Sequence, residues 1–135
     1  MDKFSGFTCT IPGKPISWKR VGGLLHRYDT QKQEKLAIGL LLRKAMANNP
    51  PLTGPLEIYA SFNFIAPKKY KCTSCEKFYH ITKPDADNCL KFIMDCCTDA
   101  NVWLDDSQVS EINVSKRYTF TTHEPYTHLT IRKIF

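Results

Sequence analysis

From Leu56 to Phe64 every second residue is apolar (Leu56, Ile58, Ala60, Phe62, Phe64), and the run closes at Ala66 before Pro67. A period of two predicts a β-strand with one buried face. Between Thr30 and the Asn48-Asn49-Pro50-Pro51 stop the spacing changes: Leu36, Ala37, Leu40, Leu41 and Lys44 recur at helical intervals, with Thr30 as the cap and Gly39 weakening the helix slightly. A second helix is predicted from Asp85, which follows Pro84 in a capping position, through Cys97 or Thr98. It is apolar on two sides. Leu90, Ile93, Met94 and Cys97 form one face and Cys89, Phe92 and Cys96 the other, so both need cover. In a small domain one face is expected against the sheet and the other against a second copy of the chain, which predicts a homodimer. Phe4 to Ile11, stopped by Pro12 and Gly13, reads as a further strand, as do Val109 to Tyr118 and Tyr126 to Ile134, joined at His123-Glu124-Pro125. The order βαβαββ predicts an α/β chain with an α+β-like mixed sheet: a single compact domain over residues 1–135, with about four strands and two main helices.

Composition narrows the partners. At 135 residues and 42% hydrophobic content the chain can bury one core of its own. Lysine and arginine (19) outnumber aspartate and glutamate (13) for a net charge of +6, which favours a polyanion such as nucleic acid. The longest apolar cluster, Leu36 to Leu42, is too short to span a bilayer, and the first residues lack the pattern of a cleaved leader, so a cytoplasmic protein with no membrane partner is expected. Six cysteines without a leader read as reduced thiols, with Cys89, Cys96 and Cys97 among core residues.

Against that basic background stand Asp85 and Asp87 at the predicted helix start, and Asp105 and Asp106 in the turn before the third strand. Each pair has an ordinary use, as a helix cap or an Asx turn. If the helix and its return loop brought them together, the four carboxylates would need a cation, and all-oxygen ligands suit Mg²⁺ or Mn²⁺. Lys91, four residues after Asp87, shares its helical face and would either pair with it or offset phosphate charge. Acids that hold metal on a basic surface suit phosphodiester cleavage.

The stretch HITKPDADNCLKFIMD, followed by WLDDSQV and VSKRY, resembles the RusA family of Holliday junction resolvases, and the opening FTCTIPGKPISWKR resembles that family's first strand and basic loop. The resemblance implies a homodimeric, Mg²⁺- or Mn²⁺-dependent endonuclease that makes paired symmetric nicks at four-way DNA junctions. It implies Asp85, Asp87 and Asp106 as catalytic and metal-binding acids, Asp105 as an adjacent acid, and Lys91 as the catalytic lysine. Two-fold related sites would suit a junction of matching symmetry. RusA-like proteins are typical of phages and prophages, which implies a bacterial host cytosol.

Asn88 is expected to support the acids through a hydrogen bond or to cap the helix. Lys14, Lys19, Arg20, Arg27, Lys68, Lys69 and Lys71 are candidate phosphate contacts, with Lys116 and Arg117 as weaker ones. Trp18, Tyr70, Phe78 and Tyr79 interleave with them and are candidates to stack on unpaired bases. Cys72 and Cys75 lie outside the family signature: they are two free thiols, or half of a structural Zn²⁺ site completed by a second copy. Other readings are a nuclease for flaps, D-loops or forks, and a non-catalytic DNA-binding module.

Overall fold

The computed structural model describes residues 3–19, 31–67, 79–119 and 124–135. Along the chain run β1 (Gly6–Pro12), α1 (Lys32–Met46), β2 (Leu56–Ile65), α2 (Ala86–Asp99), a 3₁₀ turn (Asp106–Gln108), β3 (Val109–Thr119) and β4 (Tyr126–Lys133). Together they form a small α+β domain with a four-stranded mixed sheet and two helices.

The alternating strand behaves as its pattern predicts. Leu56, Ile58, Ala60, Phe62 and Phe64 are buried, and β2 takes an inner place in the sheet order β1-β4-β2-β3. β4 pairs antiparallel with both β1 and β2, setting Leu129 beside Cys9 and Ala60, and Ile131 beside Phe7 and Ile58. β2 and β3 run parallel. A parallel pair needs a long crossover, and α2 lies in it.

Ile38, Leu42 and Met46 of α1, with Cys89, Phe92, Ile93, Cys96 and Cys97 of α2, complete the core over the sheet face that carries Ile58, Phe62 and Leu129. Burying each large side chain contributes about 1.5–3 kcal/mol. The opposite face is polar: Thr8 pairs with Thr130 at 3.0 Å, Thr10 Oγ1 meets His128 Nδ1 at 3.1 Å, and Arg132 Nε donates to Glu57.

Both apolar sides of α2 are covered inside the single chain. Cys89, Phe92 and Cys96 are buried along with Ile93 and Cys97, leaving only Leu90 and Met94 half-buried. Within the chain α1 packs against α2 and supplies part of the cover for which a second copy was expected. Helix α1 runs unbroken through Gly39, where a Cβ would stand 3.9 Å from the Ala100 Cβ, ordinary contact distance.

Helix α1 ends at Ala47, in the left-handed conformation with φ 50°, whose N–H donates to the Arg43 and Lys44 carbonyls. Its expected cap, Thr30, lies outside the described residues. Gly6 is required by a close approach: with φ 155°, its Cβ would stand 2.3 Å from the Ile131 carbonyl oxygen. Among the described residues no helix is long and apolar enough to cross a membrane. Burial pushes the Cys89 thiol up to about 11 and the Cys97 thiol well above its usual range, so these cysteines serve as small apolar side chains.

Candidate active site

Residues before α2 are held from the neighbouring strand. The Lys116 ammonium, projecting from β3, donates to the Thr82 and Pro84 carbonyls, both at 2.6 Å, across a cis Lys83-Pro84 bond. His80 N–H donates to the Lys116 carbonyl at 3.1 Å, and its buried ring lies between Phe64 (4.3 Å) and Tyr118 (4.8 Å). Burial, then Lys116, lower its pKa and favour the neutral imidazole.

This anchored turn delivers Asp85 to the capping position of α2 in an extended conformation, yet its carboxylate makes no cap hydrogen bond. Instead it pairs with the exposed Lys83 ammonium at 3.1 Å. Asp87, in the first turn, accepts from the Asn88 N–H at 2.9 Å. The Asn88 carbonyl accepts the Trp18 N–H at 2.9 Å, tying the segment after β1 to the first turn of α2. Gln31 clamps the same segment: its side chain accepts from Lys19 N–H at 3.0 Å and donates to the Ser17 carbonyl at 2.8 Å. Between this strap and α2 opens a cleft of about 610 Å³ lined by Lys14, Lys19, Lys83, Asp85 and Asn88 among others. Lys91 forms no ion pair with Asp87. Its ammonium lies 4.5 Å from the centroid of the Trp18 ring.

The second acidic pair is differently held. Asp105 caps the 3₁₀ turn, accepting from Ser107 N–H at 2.9 Å, while Gln108 Oε1 accepts the Leu104 and Asp105 N–H groups and its amide donates to the Leu52 and Gly54 carbonyls. The hydrogen bonding from Ser107 holds the Asp105 carboxyl below its usual range. Asp106 is exposed in the first turn.

The expected convergence of all four acids does not occur within the chain. Because β2 and β3 are parallel, α2 must run back along the sheet before β3 can begin, and Asp106 emerges toward the opposite end of that helix from Asp85. Its field reaches Asp95, and about 12 Å of helical rise separates Asp95 from Asp87. Among the described residues no three His, Cys, Asp or Glu side chains lie close enough to hold a metal ion together.

Asp95 is a neighbour that the sequence reading passed over. Burial raises its pKa, opposed by Lys35 and Lys91 and reinforced by Asp99 and Asp106. The signal was available, since Asp87, Lys91 and Asp95 follow at intervals of four on one helical stripe. Of the candidate phosphate contacts, Lys14 and Lys19 line the cleft, Lys116 is engaged on carbonyls, and Arg117 lies over the Tyr79 ring at 5.4 Å. Arg20, Arg27, Lys68, Lys69, Lys71, Tyr70, Phe78, Cys72 and Cys75 lie outside the described residues.

A small α+β domain with exposed carboxylates beside a lysine-lined cleft has the makings of a protein that handles phosphate backbones. The chain belongs to the RusA endodeoxyribonuclease family: the family model described as Endodeoxyribonuclease RusA matches residues 12–132, nearly its whole length. No curated protein matches the chain significantly.

Proposed function

We propose that the protein is a structure-selective endonuclease that resolves four-way DNA junctions with paired symmetric nicks and depends on Mg²⁺, with Mn²⁺ able to substitute. The observation that carries this reading is Asp85. It stands in a helix-capping position without capping, and its carboxylate, paired instead with the exposed Lys83 ammonium, lines a cleft together with Lys14 and Lys19.

Mg²⁺ is commonly held by one or two carboxylates together with substrate phosphates, and Asp85 and Asp87 fit that donor set. Bound there, the cation would activate water and stabilise the leaving oxygen. The lysines of the cleft would hold the scissile backbone by charge, and Lys91 would offset negative charge building on the reacting phosphate. Asn88, tied through its carbonyl to the strap, would keep the first turn of α2 in place beneath the acids.

Asp106 is apart from Asp85 and Asp87 in one chain, which supports a homodimer in which two copies set their acidic pairs against one junction. Two opposed strands must be cut, and a two-fold axis supplies two equivalent sites.

The test is cleavage of an end-labelled four-way junction, with a linear duplex as competitor. Symmetric nicks in Mg²⁺, absent in EDTA and in Asp106→Asn, are the expected outcome. Cutting of flaps or forks in preference to junctions would shift the substrate class. Junction binding without cutting in either cation would leave a DNA-binding module.

A further inference from the structure

Lys91 is the one cation on the exposed stripe of α2 between Asp87 and Asp95, and its surroundings are built rather than incidental. The strap is fixed on both sides of Trp18, by Gln31 accepting from Lys19 N–H and donating to the Ser17 carbonyl, and by the Trp18 N–H itself donating to the Asn88 carbonyl. Gln31 is 4% exposed, so its amide is committed to this clamp. Asn88 and Lys91 lie three residues apart and share a helical face. Binding the Trp18 backbone to Asn88 therefore brings the indole over Lys91, whose ammonium sits 4.5 Å from the ring centroid. The indole is half-buried and packs against the core. It offers one face to a cation, and indole is the best of the aromatic faces for that purpose.

We infer that Trp18 is a positioning residue for Lys91: its indole holds the lysine ammonium over α2 by a cation–π contact, and the Gln31 clamp holds the indole. This rests on the nuclease reading of the site above. It also gives Trp18 a different task from stacking on an unpaired base, because the ring face that a base would need carries Lys91. Without the indole, the four-carbon stem of Lys91 samples many rotamers, and its charge reaches the reacting phosphate less often. The strap carries Lys14 and Lys19, so DNA held by those lysines meets a segment already joined to Lys91.

Two measurements test this. In wild-type protein, the Lys91 side-chain methylene resonances, assigned by their loss in Lys91→Arg, are expected upfield of ordinary lysine values because of the indole ring current. They should return to ordinary values in Trp18→Leu and keep most of the shift in Trp18→Phe. Wild-type resonances at ordinary positions would overturn the proposal without any variant having to fold. In single-turnover cleavage of a four-way junction, Trp18→Leu is expected to slow cutting about three- to five-fold, the scale of one cation–π contact to an exposed lysine. Its junction Kd in Ca²⁺ should stay within about twofold by the same logic, since Lys91 acts on rate rather than on grip. Trp18→Phe should recover most of the rate. A Trp18→Leu enzyme that cuts at the wild-type rate, or whose loss lies wholly in Kd, would sink the positioning role and leave the nuclease reading standing. A wild-type protein that cuts nothing would sink the nuclease reading itself, while the NMR shift would still report whether the contact exists.

Discussion

At the start of α2, Asp85 occupies the capping position and Asp87 the first turn; at the start of the 3₁₀ turn, Asp105 and Asp106 stand in the same two places. The residues match and the chemistry does not. Asp105 is committed to its own turn through Ser107 and a reciprocal box with Gln108. Asp85 gives its helix no side-chain hydrogen bond and faces Lys83 and the cleft instead. An aspartate at a helix start is therefore not by itself a cap. What separates a structural acid from an available one is where its lone pairs go.

The largest effect that would break this contrast is on cutting. Asp85→Asn, Asp87→Asn or Asp106→Asn should each lower the single-turnover rate at least about a hundredfold, since even outer partners of metal ligands are worth 10–100-fold. Junction binding in Ca²⁺ should stay intact or tighten. A variant that cuts normally would remove its residue from the mechanism.

Next in size is stability. Asp105→Ala should lower the Tm by a few degrees, the usual consequence of a lost cap, whereas Asp105→Asn, an equally good cap, should restore most of it. The same alanine change at Asp85 should move the Tm by about a degree or less, because no cap hydrogen bond is lost. Acid sharpens the test. The Asp105 carboxyl is held below its usual range, so its contribution is present above the unfolded value near ~3.9 and is lost as pH falls through the lower folded value. Wild type should lose ground to Asp105→Asn only in that acid window. Equal behaviour of the alanine variants at 85 and 105 in thermal melts would erase the distinction.

The smallest effect concerns Asp95. Burial raises its pKa, so the favourable contribution belongs to the protonated form: it is present below the unfolded value and lost as pH rises through the folded one. At pH 7 the charged carboxylate is a burden, and Asp95→Asn should raise the Tm by roughly one or two degrees there. Near pH 3 the gain should vanish. A melt series showing the gain at low pH instead would contradict the sign.

Most elements were legible because their signals are local. Alternation located β2, and Pro84 with Asp85 located the start of α2. The Asn48-Asn49 stop coincides with left-handed backbone at Ala47 and Asn48. The sheet order was not legible, since nothing in the alternation of β3 says that it runs parallel to β2. That one fact decides the site, for it sends Asp106 to the far end of α2 from Asp85. The two apolar sides of α2 were legible but not the part α1 plays beside them: the stripe read for α1 included Leu36 and Leu40, which are exposed, whereas Ile38, Leu42 and Met46 turn inward. Lys116 looked like surface charge, and only the tertiary fold shows its ammonium held by the Thr82 and Pro84 carbonyls.

The pairing of β1 with β4 has a further consequence, in the order of folding. Thr8 and Thr130 are 122 residues apart in sequence, yet their hydroxyls meet. β4 also pairs with β2, so two of the three strand interfaces wait for it. During synthesis β1 leaves the ribosome early without its hydrogen-bonding partner, and although β2 and β3 can pair, the four-stranded sheet cannot close before β4 emerges. The helices can form on the way, but contacts of such long sequence separation make assembly slow and late. Until then, the unpaired first strand and the apolar face of β2 are surfaces for chaperones to guard.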